Sequence, residues 1–97
     1  MQNVIWIEER RPTQMLVVGT LAKLREETTV WELEDCPSED GQPSVVATNV
    51  FGTVVGFHWK AGKWHCLNEC GHPVMEAVVS LEALMRRALS IRRGNPG

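Results

Sequence analysis

The sequence predicts an α+β fold, in which a single antiparallel sheet of four or five strands carries two helices packed on one face. Two observations lead to this prediction. Residues 54–68 alternate like a β-hairpin around a glycine-containing turn, and residues 80–92 repeat like an amphipathic helix. The chain has 97 residues, so we expect one domain over 1–97, because a chain of this length has room for one hydrophobic core.

The hairpin has a predicted register. If Ala61 and Gly62 form the loop, Trp59 pairs with Trp64 and the neighbouring pairs follow from it. Because successive side chains of a strand point to opposite faces, the hairpin has one apolar face and one mixed face. The predicted core face carries Val55, Phe57, Trp59, Trp64 and Cys66, and the other face carries Val54, His58, Lys60, Lys63, His65 and Leu67.

Two helices are predicted. Ser80 is placed to cap a C-terminal helix over residues 80–92, beyond which residues 93–97 should fray. Its apolar stripe consists of Leu81, Leu84, Met85, Ala88 and Leu89. Thr13 is placed to cap an earlier helix, which runs through Leu16, Val17, Leu21 and Leu24. Gly19 weakens this second prediction, and a strand over residues 15–19 is the alternative.

Three further strands are predicted. Residues 4–7, 28–34 and 44–51 are rich in β-branched and aromatic side chains, and Gly52 should bend the chain after the third run. Residues 74–79 are either a further strand or an irregular lead-in to the last helix. The four tryptophans, Trp6, Trp31, Trp59 and Trp64, are expected to fill the interface between sheet and helices.

Composition limits the function. Ten basic and twelve acidic residues leave a net charge of −2, which argues against a dedicated nucleic-acid binder. The first fifty residues are acidic and the rest are basic. The N-terminus lacks the charged region and the apolar length of a signal peptide, and no segment is long enough to span a bilayer. An odd number of cysteines, three, favours a reducing, cytoplasmic setting.

Cysteine and histidine suggest one alternative function. A structural zinc ion could be bound by Cys36, Cys66, Cys70 and His72. The spacing C-x3-C-x-H departs from the two-residue knuckles of common zinc sites, and strand alternation directs Cys66 and His65 to opposite faces. His58 and His65 are therefore a separate surface pair.

Enzymatic function is not expected, and no cofactor is expected apart from the zinc of that alternative. A cysteine nucleophile such as Cys70 beside His72 needs an orienting group and an oxyanion hole, and the sequence marks neither. It has no phosphate-binding glycine loop and no hydrolase or metalloprotease motif. A weak nucleic-acid-binding module is a further alternative. It would use the basic C-terminal half, namely Lys60, Lys63, Arg86, Arg87, Arg92 and Arg93.

The preferred hypothesis is a non-enzymatic protein-binding or regulatory module whose partner is another protein or a second copy of the chain. Its predicted contact surface is an acidic segment with Trp31 beside it: Glu32, Glu34, Asp35, Glu39 and Asp40. One sign of charge at this density would speed encounter with a basic partner. Apolar anchors would have to come from neighbours such as Trp31 or Phe51. By analogy of class alone, the size also suits inhibitor-type proteins of phages and mobile elements.

Overall fold

The computed structural model describes residues 14–92 as two helices and a four-stranded antiparallel sheet with the strands in sequence order, and it confirms the α+β class. The predicted strand at residues 4–7, Trp6, Thr13 and the predicted frayed tail lie outside the described residues. The elements are α1 (Gln14–Arg25), β1 (Trp31–Asp35), β2 (Ser44–Asn49), β3 (Val54–Lys60), β4 (Lys63–Leu67) and α2 (Leu81–Leu89).

The β3–β4 hairpin has the predicted register, with Trp59 opposite Trp64 and Phe57 opposite Cys66. Ala61 and Gly62 both adopt positive φ, at 54° and 80°, as the tight turns whose twist matches paired strands require. Phe57, Trp64 and Cys66 are fully buried. The rings of Trp59 and Trp64 meet edge to face with centroids 5.8 Å apart. The face of the hairpin that the sequence predicts to be buried is therefore the face that packs in the core.

Both helices contribute to the same core as this face of the sheet. α1 is helical as predicted and the alternative of a strand over residues 15–19 is wrong. Its buried side chains are Val17, Leu21 and Leu24, whereas Leu16 lies on the exposed side. The apolar stripe of α2 is confirmed, with Leu81, Leu84, Met85 and Leu89 buried and Ala88 packed against them. The sheet supplies Leu33, Val45, Ala47, Phe57, Trp64 and Cys66.

Hydroxyl groups set two of the element boundaries. The Thr28 hydroxyl accepts hydrogen bonds from the N–H groups of Val30 and Trp31 at 3.2 and 3.4 Å. Because of this local turn, β1 begins at Trp31 and not at residue 28, where the sequence predicts its start. Ser80 caps α2 as predicted, accepting a hydrogen bond from the Ala83 N–H at 3.1 Å. The helix ends three residues earlier than predicted because Ser90 adopts a left-handed conformation at φ 59°.

Residues 74–79 form an irregular lead-in to α2 and no named strand. They nevertheless run along the outer edge of β4. Trp64 and Val78 exchange backbone hydrogen bonds of 2.7 and 3.1 Å, and the Val74 N–H donates to the Cys66 carbonyl at 3.0 Å. The alternative of an irregular segment is thus the observed one, and it covers an edge that would otherwise expose unpaired backbone groups.

Ion pairs link α2 to α1 and to the turn that follows α1, with Arg86 at their centre. Its guanidinium donates to Glu27 at 2.7 Å and to Glu82 at 2.9 Å, and Lys23 of α1 lies 3.1 Å from the same Glu82 carboxylate. The hydrogen bond that Arg86 donates to Glu27 is the main reason that the pKa of Arg86 is raised. Hydrogen bonds from Arg86 and then Lys23 lower the pKa of Glu82. Within the described range 14–92, no helix has the length and apolar character needed to cross a membrane.

The two hairpin tryptophans should differ in their contribution to stability. Trp64→Ala removes a fully buried ring and is expected to cost about 3–5 kcal/mol, out of a total of about 5–10 kcal/mol for a chain of this size. Trp59 is only half-buried, so Trp59→Ala should cost less. Urea unfolding followed by circular dichroism measures both, and equal losses would contradict the assigned core face.

The Glu82 ion pairs should make stability depend on pH. Because the folded-state pKa of Glu82 is lowered, its contribution is present above the ordinary glutamate pKa and disappears as the pH falls through the lowered value. We expect Glu82→Gln to cost about 1 kcal/mol or less at pH 7 and to cost less at pH 3, which lies below the ordinary glutamate pKa. Urea unfolding at both pH values tests this, with Glu76→Gln, an exposed residue, as the control. A cost that is the same at both values would contradict it.

Candidate functional site

The turn between β2 and β3 is held in one conformation by Asn49. Its side-chain oxygen accepts hydrogen bonds from the N–H groups of Phe51 and Thr53 at 2.8 and 2.9 Å. The Asn49 backbone also pairs with Thr53 and Gly52, each at 3.0 Å. Gly52 has φ +89°, a conformation that glycine adopts without the steric penalty of a side chain. The N–H groups of residues 51–53 are therefore all hydrogen-bonded within the turn, although it lies at the surface.

This hydrogen-bonded turn presents apolar side chains to solvent. Phe51 is 85% exposed and Val50 is 70% exposed. Val30 is also exposed, and its carbonyl accepts a hydrogen bond from the Val50 N–H at 3.2 Å. We call Val30, Val50 and Phe51 the apolar tip. An exposed aromatic side chain on a fixed backbone is a feature of binding surfaces, because folding gains nothing from it.

The predicted acidic segment is not a single surface, because strand alternation divides it. Glu32 and Glu34 are exposed on the outer face of the sheet, opposite the helices. Asp35 turns toward the start of α1, where the Gln14 amide donates to its carboxylate. Asp40 accepts hydrogen bonds from Ser38 and Gln42 within its own loop. Glu39 is exposed in that loop.

Carboxylates nevertheless lie on both sides of the apolar tip. Glu32 is two residues beyond Val30 on β1 and pairs with Thr48 of β2. On the other side, a carboxylate oxygen of Glu69 accepts a hydrogen bond from the Val54 N–H at 3.3 Å. The surroundings of the tip are thus acidic. Glu69 was not among the predicted site residues, because its position beside Val54 depends on the turn that follows β4.

Trp31, the predicted aromatic anchor, makes its contacts within the chain. Its indole N–H donates to the Leu89 carbonyl at 3.1 Å, and its ring packs against the core while remaining half-buried. This contact joins β1 to the C-terminal end of α2, where the last carbonyls have no partner within the helix. Phe51, the other neighbour suggested by the sequence, is the residue with a free aromatic surface.

The proposed zinc ligands are dispersed. Cys66 is buried on the core face of β4, and burial raises the pKa of its thiol, which disfavours the thiolate that binds zinc. Cys36 and Cys70 are exposed in different loops, and His72 is exposed in the turn after β4. Among residues 14–92, no three histidine, cysteine or acidic side chains are placed to hold one metal ion. The zinc alternative has no geometric support in this region.

The histidine pair lies on the outer face, as predicted, with the two residues directly opposite each other. Each ring has a local partner: His58 Nδ1 lies 3.1 Å from the Ser44 hydroxyl, and His65 Nε2 donates to the Lys60 carbonyl at 3.0 Å. Gly56 makes room for His58, because a Cβ there would lie 3.0 Å from the His58 Nε2. Ser44 is buried, so its hydroxyl is not accessible as a nucleophile.

Two of the clefts among the described residues open on the sheet, and His58 lines one of them. One, of about 600 Å³, lies between the β1–β2 loop and the hairpin, and its lining includes Asp40, Gln42, His58 and Lys60. The other, of about 470 Å³, lies beside β1 and is lined in part by Arg25, Glu32 and Glu34. Neither gathers a recognisable set of catalytic groups.

Strand addition by a partner is obstructed at both edges of the sheet. On β1, the Arg25 guanidinium donates to the outward carbonyl of Leu33 at 2.7 Å. On β4, residues 74–78 pair with the outer edge. Addition of a further strand would therefore have to displace these contacts.

Comparisons of the chain with protein-family models, with curated proteins and with solved structures found no match. Function has to be inferred from the site itself.

Metal removal provides a test of the zinc alternative. Because Cys66 is buried while Cys36 and Cys70 are exposed, and no three potential ligands meet among the described residues, we expect protein purified without added metal to melt at the same temperature before and after treatment with a chelator. Elemental analysis should find much less than one zinc per chain. Stoichiometric zinc that is lost in Cys70→Ser would contradict this expectation and favour the structural zinc domain.

Proposed function

We propose that this protein is a non-enzymatic protein-binding module and that the apolar tip is its main contact with another protein. The observation that carries the proposal is the exposure of Phe51 on a turn fixed by the Asn49 side chain. Aromatic side chains are enriched in the centres of interfaces, where a few residues supply most of the binding energy.

The fixed turn supports this proposal energetically. Association costs free energy when flexible loops and side chains become ordered. Here the N–H groups of Phe51, Gly52 and Thr53 are already hydrogen-bonded to Asn49, so the backbone needs no further ordering. A protein that needed only a soluble turn would be served by polar residues at positions 50 and 51.

The acidic surroundings suggest the character of the partner. Glu32 and Glu69 lie on either side of the tip, so a partner with an apolar pocket and a basic rim is complementary to it. Charges of this kind mainly raise the association rate and lose influence at high salt. Each exposed pair would contribute only about 0–1 kcal/mol to affinity, so the aromatic contact would supply most of the binding energy.

Substitution of Phe51 tests the proposal. Phe51→Ser removes the exposed ring without touching the core, so the melting temperature should stay within the range of ordinary surface substitutions, about ±0.5 kcal/mol in stability. In affinity capture from the native host, the variant should lose the proteins that the parent retains, by about tenfold or more for a central aromatic contact.

A matched control is available in Val79, which is also strongly exposed, at 68%, and lies just before α2. Val79→Ser should retain the captured proteins. If Phe51→Ser captures the same proteins at the same yield as the parent, the apolar tip is not the contact surface. If both variants lose them, the contact lies elsewhere or the capture is non-specific.

A further inference from the structure

The apolar tip and the larger of the two clefts lie at opposite ends of the sheet. β2 runs from Ser44 to Asn49 and β3 returns from Val54 to Lys60, so the turn that carries Phe51 closes one end. The β1–β2 loop and the turn of the β3–β4 hairpin lie at the other end, where they form the walls of the cleft of about 600 Å³. The six residues of β2 separate the two ends, which corresponds to roughly 20 Å.

Hydrogen bonds hold the two walls of this cleft together. The Trp59 N–H donates to the Pro43 carbonyl at 3.2 Å, which joins the hairpin to the loop. Within the loop, the Asp40 carboxylate accepts hydrogen bonds from the Ser38 hydroxyl and from the Gln42 N–H. The backbone around the cleft is thus hydrogen-bonded before anything enters it, which lowers the ordering cost of binding.

The cleft combines apolar surface with a cationic wall. Pro43, Trp59 and Leu67 contribute to its lining; Pro43 is buried and the other two are half-buried. Lys60 also lines the cleft, and Lys63 lies directly opposite Lys60 at the end of the hairpin. Both lysines are exposed, and neither belongs to an ion pair within the described residues. An apolar side chain with a carboxylate beside it is complementary to such a cleft.

The apolar tip has this combination of groups. Phe51 is 85% exposed, and Glu69, which follows β4, accepts a hydrogen bond from Val54 beside it. Glu69 and the lysines lie on the same side of the molecule, that of the β3–β4 hairpin. The acidic side chain of the cleft, Asp40, lies on the other wall. Copies stacked end to end in the same orientation would therefore bring the carboxylate of Glu69 toward lysines and away from Asp40.

The chain thus carries a pocket that matches its own tip. Because tip and cleft are at opposite ends of the sheet, one chain cannot satisfy both by itself. A contact of this kind is heterologous: each added copy leaves one tip and one cleft free, so the assembly continues unless it closes into a ring.

On the basis of the proposed function, we propose that the partner of the apolar tip is a second copy of the chain. Phe51 of one copy enters the cleft of the next, against Leu67, and Glu69 faces Lys60 and Lys63. The contact of a single turn with a cleft is at the small end of specific interfaces, below about 1,200 Å². Each link is accordingly weak, with a dissociation constant of roughly 100 µM.

Sedimentation of the full chain over a range of concentrations tests the proposal. The average mass of the parent should rise steadily between about 10 µM and 1 mM and should pass the mass of a dimer. Phe51→Ser should associate at least tenfold more weakly, because it removes the central aromatic contact. A parent that is monomeric at 1 mM, or that stops at a dimer, overturns the proposal.

Charge reversal tests the cleft. Lys60→Glu should weaken association several-fold at low salt, because it places a carboxylate where the tip presents Glu69. The matched control is Arg87→Glu, which makes the same change of charge at an exposed residue of α2 and should associate like the parent. If Lys60→Glu associates as well as Arg87→Glu, the cleft is not the site.

Mixing two defective variants tests the head-to-tail arrangement. Phe51→Ser keeps an intact cleft, whereas a chain with Lys60→Glu and Leu67→Ser keeps an intact tip. Each alone should associate at least tenfold more weakly than the parent, and the mixture should form a heterodimer of parental affinity and nothing larger. If the melting temperature shows that Leu67→Ser disturbs the fold, Lys60→Glu alone takes its place. A mixture that associates no better than its components overturns the proposal.

The same variants separate this assembly from the proposed function. If the parent stays monomeric while Phe51→Ser loses the proteins captured from the host, the tip binds another protein and self-association alone is wrong. If Phe51→Ser both self-associates like the parent and retains the captured proteins, the tip is not a contact surface and both proposals are wrong.

Discussion

The register of the β3–β4 hairpin is the constraint on which the rest of the structure depends. The two left-handed residues of its turn, Ala61 and Gly62, place Phe57, Trp64 and Cys66 on the same face. A shift by one residue would turn all three toward solvent and bring His58, His65 and the lysines against the helices. Both helices pack over this face, and the segment that leads into α2 pairs with the backbone of Trp64.

A core on one face leaves the other face and the ends of the sheet for interaction. The outer face carries polar and charged groups, and local bonds such as that between Ser44 and His58 occupy part of it. Arg25 and residues 74–78 obstruct the two edges. Among the described residues, and apart from Val74 and Val79 before α2, the exposed large apolar side chains lie at the β2–β3 turn and on the outer side of α1. These two surfaces are therefore where association can remove apolar area from water without rebuilding the fold.

Local patterns were sufficient to predict much of this fold. Strict alternation and a glycine turn predicted the hairpin, and a strong helical period with a serine cap predicted α2. The ends of the helices and strands were harder to predict, because they depend on the conformation of single residues such as the left-handed Ser90. In α1 the spacing predicted a helix but not its buried face. Apolar residues lie all around it, so only the packing partner distinguishes Val17 from Leu16.

The site was less predictable, because it depends on contacts between distant residues. The grouping of five carboxylates followed their closeness in sequence, whereas alternation and the Gln14 contact separate Asp35 from Glu34. Trp31 and Phe51 were both candidate anchors. The indole N–H of Trp31 donates to the carbonyl of Leu89, 58 residues away in sequence, so the ring of Trp31 is engaged within the chain and that of Phe51 is exposed.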